Sequence, residues 1–270
     1  MSTISVVTAV DPRRADHLAA SWHSLASQVM PAGWSWEWLV QCDSTDPDDQ
    51  QTVRRHLPDH PQISFAASRH GGPAIARTMT LARARGRLIK TLDADDRLTE
   101  DALSRDIEAH SNLGVLWSAS RVVNEHPDGR RENHYPWDPP AGRIRPGTAC
   151  ATYQRGWRIL VHPATLCIRF PILLALGGWM ALPASEDTAL LMALDACGGG
   201  FFIPETGMIY RRWAPQMSAS AQHVESYELH ARRTLVLQRA QAISDWVAGR
   251  SNEGAGADFP VCTLNLVAVP

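Results

Sequence analysis

The chain has 270 residues, enough for one large α/β domain or two small ones with an ample core. Apolar residues make up 44% and charged residues 20%, the balance of an ordinary globular protein, and a net charge of −2 gives no reason to expect nucleic acid as a partner. The five cysteines are scattered and form no C-x-x-C pair, which fits the reduced thiols of a cytoplasmic protein better than disulfides or a zinc site.

Residues 4–10, Ile4-Ser5-Val6-Val7-Thr8-Ala9-Val10, lack a basic leader and read as a first strand, not a signal peptide. Residues 14–28 place Leu18, Trp22 and Leu25 on one helical face. Residues 36–42 form a second strand. Asp46-Pro47 opens a helix, as N-cap and first helical residue, that reaches about residue 56. Residues 63–67 are a third strand. Residues 73–84 are a helix with Ile75, Met79 and Ala82 on one stripe, and residues 88–92 are a fourth strand. Strands alternating with helices of this length predict βαβ units, right-handed crossovers and a mostly parallel sheet flanked by helices. Ligands in such sheets bind beyond the carboxyl ends of the strands, so Asp11, Asp43, Arg69 and Asp93 are expected to converge on one crevice.

The second half is less regular. A helix over residues 99–112 leads to a strand over 115–123, and Asp128-Gly129 marks a turn. Residues 132–160 are rich in Trp, Pro, Gly and Arg and show no clear period. The apolar stretch 170–184 is broken by Pro171, Gly177, Gly178 and Pro183 and falls short of the ~20 residues that span a bilayer. No integral membrane segment is therefore expected. A helix over 186–197 stops at Gly198-Gly199-Gly200, short strands follow at 201–204 and 207–213, and a long helix covers 223–247. The polar run 249–258 reads as a loop, and the apolar run 261–269 as a strand or a cover for the core. Lys90 is the only lysine, a bias read as genomic and not chemical.

Leu92-Asp93-Ala94-Asp95-Asp96 ends the fourth strand. Three carboxylates in four positions repel one another unless something positive sits among them. A hard divalent cation, Mn²⁺ or Mg²⁺, is one solution, since it takes oxygen ligands and keeps sites for substrate phosphates. The alternative is an acidic loop capping the helix that starts at Thr99-Glu100-Asp101.

Taken together, the motifs resemble family-2 glycosyltransferases of the GT-A fold, over about residues 3–215. Leu39-Val40-Gln41-Cys42-Asp43-Ser44-Thr45-Asp46 is similar to the family's "VVDDGSTD" segment. Arg69-His70-Gly71-Gly72-Pro73-Ala74-Ile75-Ala76-Arg77 is similar to "N-x-G-x-x-x-A-R-N-x-G". The segment from Ala82 to Asp96 is close to "A-x-A-x-G-E-Y-I-x-F-L-D-A-D-D". Gly177-Gly178-Trp179 with Ser185-Glu186-Asp187 resembles "G-G-F" followed by "E-D-x-D-L", and Tyr210-Arg211-Arg212-Trp213 resembles the "Y-R-x-H/R" strand. The chain departs from the pattern at Gln41-Cys42, where an acid is usual, at Thr78, where Asn is usual, and at Thr188-Ala189.

The resemblance implies a GT-A, Rossmann-like α/β fold. Residues 1–248 would be a single domain: a nucleotide-sugar half (1–98), an irregular acceptor and catalytic half (99–215) and a C-terminal helix (216–248), followed by a tail (249–270). It implies an inverting enzyme that moves a sugar from a nucleotide diphosphate sugar, a UDP-sugar by this reading, to a hydroxyl or amine of a small-molecule or glycan acceptor. Asp95 would be the main ligand of Mn²⁺ or Mg²⁺, Asp93 would hold the ribose hydroxyls or share the metal, His223 is a further candidate ligand, and Asp96 would support the ligands from behind or be an alternative one. Asp187 would be the general base, with Glu186 its structural or acceptor-orienting neighbour; a pair of first-turn acids is the plainer account. Thr8, Ala9, Val10, Asp43, Gly72, Arg77, Asp93, Ala94 and Asp95 would line the donor site. Within that set Asp43 takes a base N–H or forms an Asx turn, and Arg77 contacts diphosphate or pairs with a strand-end Asp. His134, Tyr135, Trp137, Trp157 and His162 fall where acceptors bind, with core packing as the alternative. Two further functions stay open. One is a degenerate nucleotide-sugar- or partner-binding protein; the other is a sugar-nucleotide pyrophosphorylase, disfavoured because Asp11-Pro12-Arg13-Arg14 lacks glycines. Oligomeric state is not legible.

Overall fold

A computed structural model describes residues 1–133, 135–212 and 226–252. Strands β1 (Ser2–Val10) and β2 (Trp34–Cys42) pair in parallel along their whole length, from Ser2 opposite Trp34 to Val10 opposite Cys42. Their residues are apolar on both faces because both faces are covered. Val7 and Leu39 enter one core with Ile89 and Trp117, whereas Val6, Trp38 and Val40 enter a second core with Leu18, Leu25 and Leu103.

β3 (Ile63–Ala67) adds to β2, and β4 (Leu88–Thr91) adds to β1, both parallel. The crossovers carry α1 (Leu18–Ala26), α2 (Pro47–Arg55) and α3 (Gly72–Thr80). The single helix expected over 14–28 is divided. A 3₁₀ segment, Pro12–His17, itself kinked at Arg14, precedes α1, and the backbone stays helical through His17 and Leu18 where the two meet. Asp11 caps that segment through the Arg13 amide, and Asp46 caps α2 through the amides of Asp48 and Asp49.

The second half continues the same sheet. β5 (Arg97–Leu98) follows the acidic turn, then α4 (Ala102–Leu113), β6 (Trp117–Glu125), β7 (Arg131–Asn133), β8 (Gly142–Ile144), α5 (Thr148–Gly156), β9 (Cys167–Arg169), α6 (Phe170–Ala175), α7 (Glu186–Cys197), β10 (Gly200–Arg211) and α8 (Ser226–Asn252). The strand order is β3-β2-β1-β4-β9-β6-β10-β5, with β7 on β6 and β8 on β10. The long ladders, β1–β2 and β6–β10, are parallel, and the antiparallel ladders are two or three residues each. The two short strands expected at 201–213 are one strand with register shifts between Ile203 and Met208. β5, β7, β8, β9, α5 and α6 have no periodic signature in the sequence.

α7 is buried on nearly every side, with Leu190, Leu191, Met192, Ala193 and Leu194 all inaccessible. An all-apolar helix of this kind belongs inside a core; here α5 and α8 pack against it. In the middle of the sheet Lys90 is fully buried. Its Nζ lies 2.7 Å from Asp106 Oδ2 and donates to the Thr165 carbonyl, while Asp106 Oδ1 accepts from Ser118 Oγ. The chain's one lysine is therefore a core cation, neutralised within the fold. Among the described residues no helix is long and apolar enough to cross a membrane. The expectations for His134, Trp213, His223 and the runs 253–258 and 261–269 lie outside the described residues.

Candidate active site

β1, β2 and β4 end at one edge of the sheet, and each end is fastened to its neighbour. The Asp43 amide donates to Val10 O, the Leu92 amide donates to Val7 O, and Thr8 Oγ1 donates to Leu92 O while accepting from Trp38 Nε1. Thr8 is thus wholly committed to holding β1 against the strand that leads into Asp93. Ala9 stays half-buried at the end of the strand, and the Val10 side chain is in the core.

The acidic turn is built from within. Ser21 Oγ donates to the carbonyls of Ala94 and Asp96, and the Asp96 amide donates to Asp93 O. The three carboxylates then separate. Asp93 Oδ1 is 2.5 Å from Arg77 Nη2, and its side chain is 29% exposed. Asp95 is half-buried, and its carbonyl accepts from Arg211 Nε. Asp96 is fully buried, with Oδ1 accepting from the Arg211 amide and Oδ2 without a hydrogen-bond partner. Burial, then the charges of Asp95 and Asp93, push the Asp96 carboxyl well above the ordinary aspartate range. Its Oδ1 ties the turn to the end of β10 through the Arg211 amide.

Asp43 neither makes an Asx turn nor stands free. Its two oxygens accept from the amides of Gly71 and Gly72, at 2.8 and 3.0 Å, and its Oδ2 lies 2.9 Å from His70 Nδ1. It caps the N-terminus of α3. Gly72 has φ +80, a conformation glycine adopts without strain, and a Cβ there would meet only open space. Asp11 ion-pairs with the exposed Arg13.

One helical turn into α3, Arg77 sits in the interior with Nη2 on Asp93 and Nη1 at 2.9 Å from Glu186 Oε1. Burial disfavours its charge, but the two carboxylates outweigh that and hold it firmly protonated. Of the two roles open to Arg77, pairing with a strand-end Asp is the one present. Its neighbour Thr78, which stands where the family has Asn, receives the Trp179 amide at 3.0 Å. Gly178, at φ +76, brings backbone so close that a Cβ would lie 2.7 Å from Thr78 Oγ1. The Gly177-Gly178-Trp179 turn is thereby docked on α3, and α7 begins seven residues further on. Thr78 appeared in the sequence only as a departure, and its role became visible with this contact.

Glu186 and Asp187 form the first turn of α7. Glu186 is buried and faces Arg77, while Asp187 is half-buried and uses Oδ1 to accept from the Thr188 amide and hydroxyl. Burial raises both carboxyls. For Glu186 the adjacent Asp187 adds to this, and for Asp187 the charge of Arg77 works against it. Rings from three separate stretches make contact. Tyr135 stacks on Trp137, His162 lies against both Tyr135 and Tyr210, and the Arg158 and Arg212 guanidiniums cover Trp137 and Tyr210. Trp157, by contrast, packs edge-on to Tyr153 under Arg233.

The structure therefore gathers Asp93, Arg77, Glu186 and Asp187 into one connected group, with Ala94 and Asp95 at its edge and Asp43 and Gly72 at the start of α3. Among the described residues no three His, Cys, Asp or Glu side chains cluster as a closed metal cage. Asp93 and Asp95 both keep part of their surface exposed in the acidic turn, Asp93 while paired with Arg77; carboxylate oxygens of this kind are the ligand type that Mg²⁺ or Mn²⁺ takes.

The family model for glycosyl transferase family 2 matches residues 5–168. No curated protein matches the chain. Among solved structures, TarS 1–349 of S. aureus in complex with UDP-GlcNAc superposes with a TM-score of 0.67 at 16% identity, covering 93% of this chain and 72% of that one. TarS 1–349 without a named ligand gives 0.61 at 17% identity over 98% of this chain and 76% of that one. The mannosyltransferase PcManGT from Pyrobaculum calidifontis, in complex with GDP-Man and Mn²⁺, gives 0.56 at 15% identity over 94% and 76%. These likenesses establish the GT-A glycosyltransferase fold.

Proposed function

The chain belongs to glycosyl transferase family 2, and from that premise we propose that it moves a sugar from a nucleotide diphosphate sugar to a hydroxyl or amine of a small-molecule or glycan acceptor, with inversion. A UDP-sugar is the favoured donor, supported by the TarS complex with UDP-GlcNAc, with GDP-Man in PcManGT as the competing precedent. The observation that carries the reading is the Arg77 bridge. One buried guanidinium holds the acidic turn and the Glu186-Asp187 pair together, so that the group meeting the leaving diphosphate and the group meeting the acceptor belong to one site.

In this reading the donor half is residues 1–98, with the nucleotide along the ends of β1 and β2 and the backbone of Gly72 close to it. Asp43 contributes by fixing the Gly71-Gly72 turn. Asp95 and Asp93 would hold Mn²⁺ or Mg²⁺, which when bound supplies Lewis-acid stabilisation to the departing diphosphate. Asp187 accepts the acceptor's proton as its oxygen or nitrogen attacks the anomeric carbon. Its raised carboxyl makes it a stronger base than an ordinary aspartate, and a base so placed contributes roughly 10²–10⁴ in rate. Glu186, neutralised by Arg77, orients the first turn of α7 without competing for that proton. Action in the cytoplasm is part of the proposal and rests on the cysteine pattern; Cys42, Cys150, Cys167 and Cys197 are free thiols.

The test is release of nucleoside diphosphate from UDP- and GDP-sugars by the full chain with Mn²⁺, alongside Asp187→Asn. Release from one donor class, cut at least a hundredfold by Asp187→Asn while nucleotide affinity is kept, supports the proposal. Release at the same rate in the variant removes Asp187 as base, and release from no donor removes the transferase assignment.

A further inference from the structure

α8 is apolar on two sides, and its contact with α7 covers one of them. Val236 and Ala240 are buried on that side, with Leu237 packed beside them. A second stripe, Leu235, Arg239, Ala242 and Trp246, follows the i, i+4, i+7, i+11 spacing of a single helical face. On it Leu235 is 41% and Trp246 60% exposed. Arg239, Ala242 and Trp246 of this stripe, with Ile243, form one wall of a cavity of about 340 Å³, and Ala175 and Leu176 at the end of α6 form the other. Leu174, next to that second wall, is 57% exposed.

The same groove presents an unsatisfied donor. Arg239 Nη2 donates to the Leu176 carbonyl at 2.8 Å, while Nη1 is buried and has no hydrogen-bond partner among the described residues. Buried N–H groups are rarely left so, because the lost water is not replaced. A main-chain carbonyl satisfies the donor without bringing a second charge into an apolar groove. Apolar side chains on a backbone that offers carbonyl oxygens are the chemistry of an extended peptide.

The chain carries such a peptide just beyond α8. Residues 259–270 contain no Asp, Glu, Lys, Arg or His. In an extended segment Cys262, Leu264, Leu266 and Ala268 share one face, and Thr263 and Asn265 fall on the other. An uncharged apolar run of this kind is an aggregation hazard unless it is covered. The connection is long enough to bring it back. Asn252 lies about 20 Å along α8 from Arg239 at the helical rise, and residues 253–260 span up to about 27 Å when extended. Gly254 and Gly256 make that connection easy to turn.

We propose that residues 261–269 dock in extended form in the α6–α8 groove of their own chain, with Leu264 and Leu266 in the cavity beside Ile243 and Trp246 and a carbonyl of the run accepting from Arg239 Nη1. The segment is a strap. α6 runs into the Gly177-Gly178-Trp179 turn, and α8 packs on the helix that begins with Glu186 and Asp187, so the strap joins the two elements behind that pair. The inference does not depend on the transferase reading.

The experiment is photo-crosslinking and hydrogen exchange on the full chain. In Leu266→p-benzoylphenylalanine, irradiation should join position 266 to residues 174–176 or 239–246, and an equal mixture of isotope-labelled and unlabelled chains should show the crosslink within one chain. In wild type the amides of 261–269 should exchange at least about tenfold more slowly than in an unprotected chain. Ala242→Glu puts a charge on an exposed position of the groove wall, and Leu266→Asp puts one on the run. Each should remove the protection of 261–269 while the amides of α7 stay protected. Crosslinks to any other part of the chain, crosslinks only between chains, which would make the groove the seat of a second copy, or wild-type amides of 261–269 exchanging at the unprotected rate overturn the proposal. Protection that survives both substitutions does so as well.

Discussion

Arg77 Nη1 lies 2.9 Å from Glu186 Oε1, joining α3 to the first turn of α7 across 109 residues of sequence. Both side chains are about nine-tenths buried. The second arm of the same guanidinium holds Asp93, so one cation serves two carboxylates. Removing one partner from a buried pair leaves the other charge stranded, which costs about 3–5 kcal/mol. Arg77→Met should therefore lower unfolding free energy by about that amount in urea melts, with Glu186→Gln costing less because the amide oxygen still accepts. A loss under about 1 kcal/mol for Arg77→Met would show that water screens the bridge.

The pH dependence follows from the direction of the Asp187 shift. Burial raises its carboxyl above the ordinary value of about 3.9, and only the deprotonated form accepts a proton. Activity should rise with pH through an acid limb that lies above that value and then level off. The kcat profile of wild type is the check; Asp187→Asn should lack the limb. A limb at or below the ordinary aspartate range contradicts the assignment.

The Lys90–Asp106 pair is the corresponding device in the core. Both side chains are 1% exposed, and β4, which carries Lys90, runs directly into the acidic turn. Lys90→Met alone should cost about 3–5 kcal/mol by leaving the Asp106 charge unpaired, whereas Lys90→Met with Asp106→Leu should recover most of it. Thermal melts of the single and double variants decide this, and a double variant no better than the single refutes it.

How far the sequence carried this picture depends on what each stretch buries. β1 through β4 were legible because parallel strands buried on both faces are written as apolar runs, with cap residues such as Asp46 between them. β5, β7, β8 and β9 are two or three residues long, too short for any period. The helix expected over 14–28 is 3₁₀ as far as His17 and α-helical only from Leu18, a change of winding that no Gly or Pro between them marks. At the site, the acidic turn and the Glu-Asp pair stood out as clustered charge. The roles of Asp43, Thr78 and Asp96 did not, since each acts through one long-range contact: with Gly71-Gly72, with Trp179 and with Arg211. The contact of Tyr210 with His162 was not legible either, because 48 residues of sequence separate them and nothing local links them.

The most direct test of the account is calorimetric titration of UDP, GDP and dTDP into the wild-type chain and Asp95→Ala, each with Mn²⁺ and with EDTA. The account predicts that one nucleotide, UDP, binds with Mn²⁺, that EDTA removes the binding, and that Asp95→Ala removes it as well, with a matching loss of ligand-induced rise in Tm. Binding of no nucleotide, or equal binding with EDTA and in Asp95→Ala, would contradict the claim that the turn after β4 is a metal–diphosphate site.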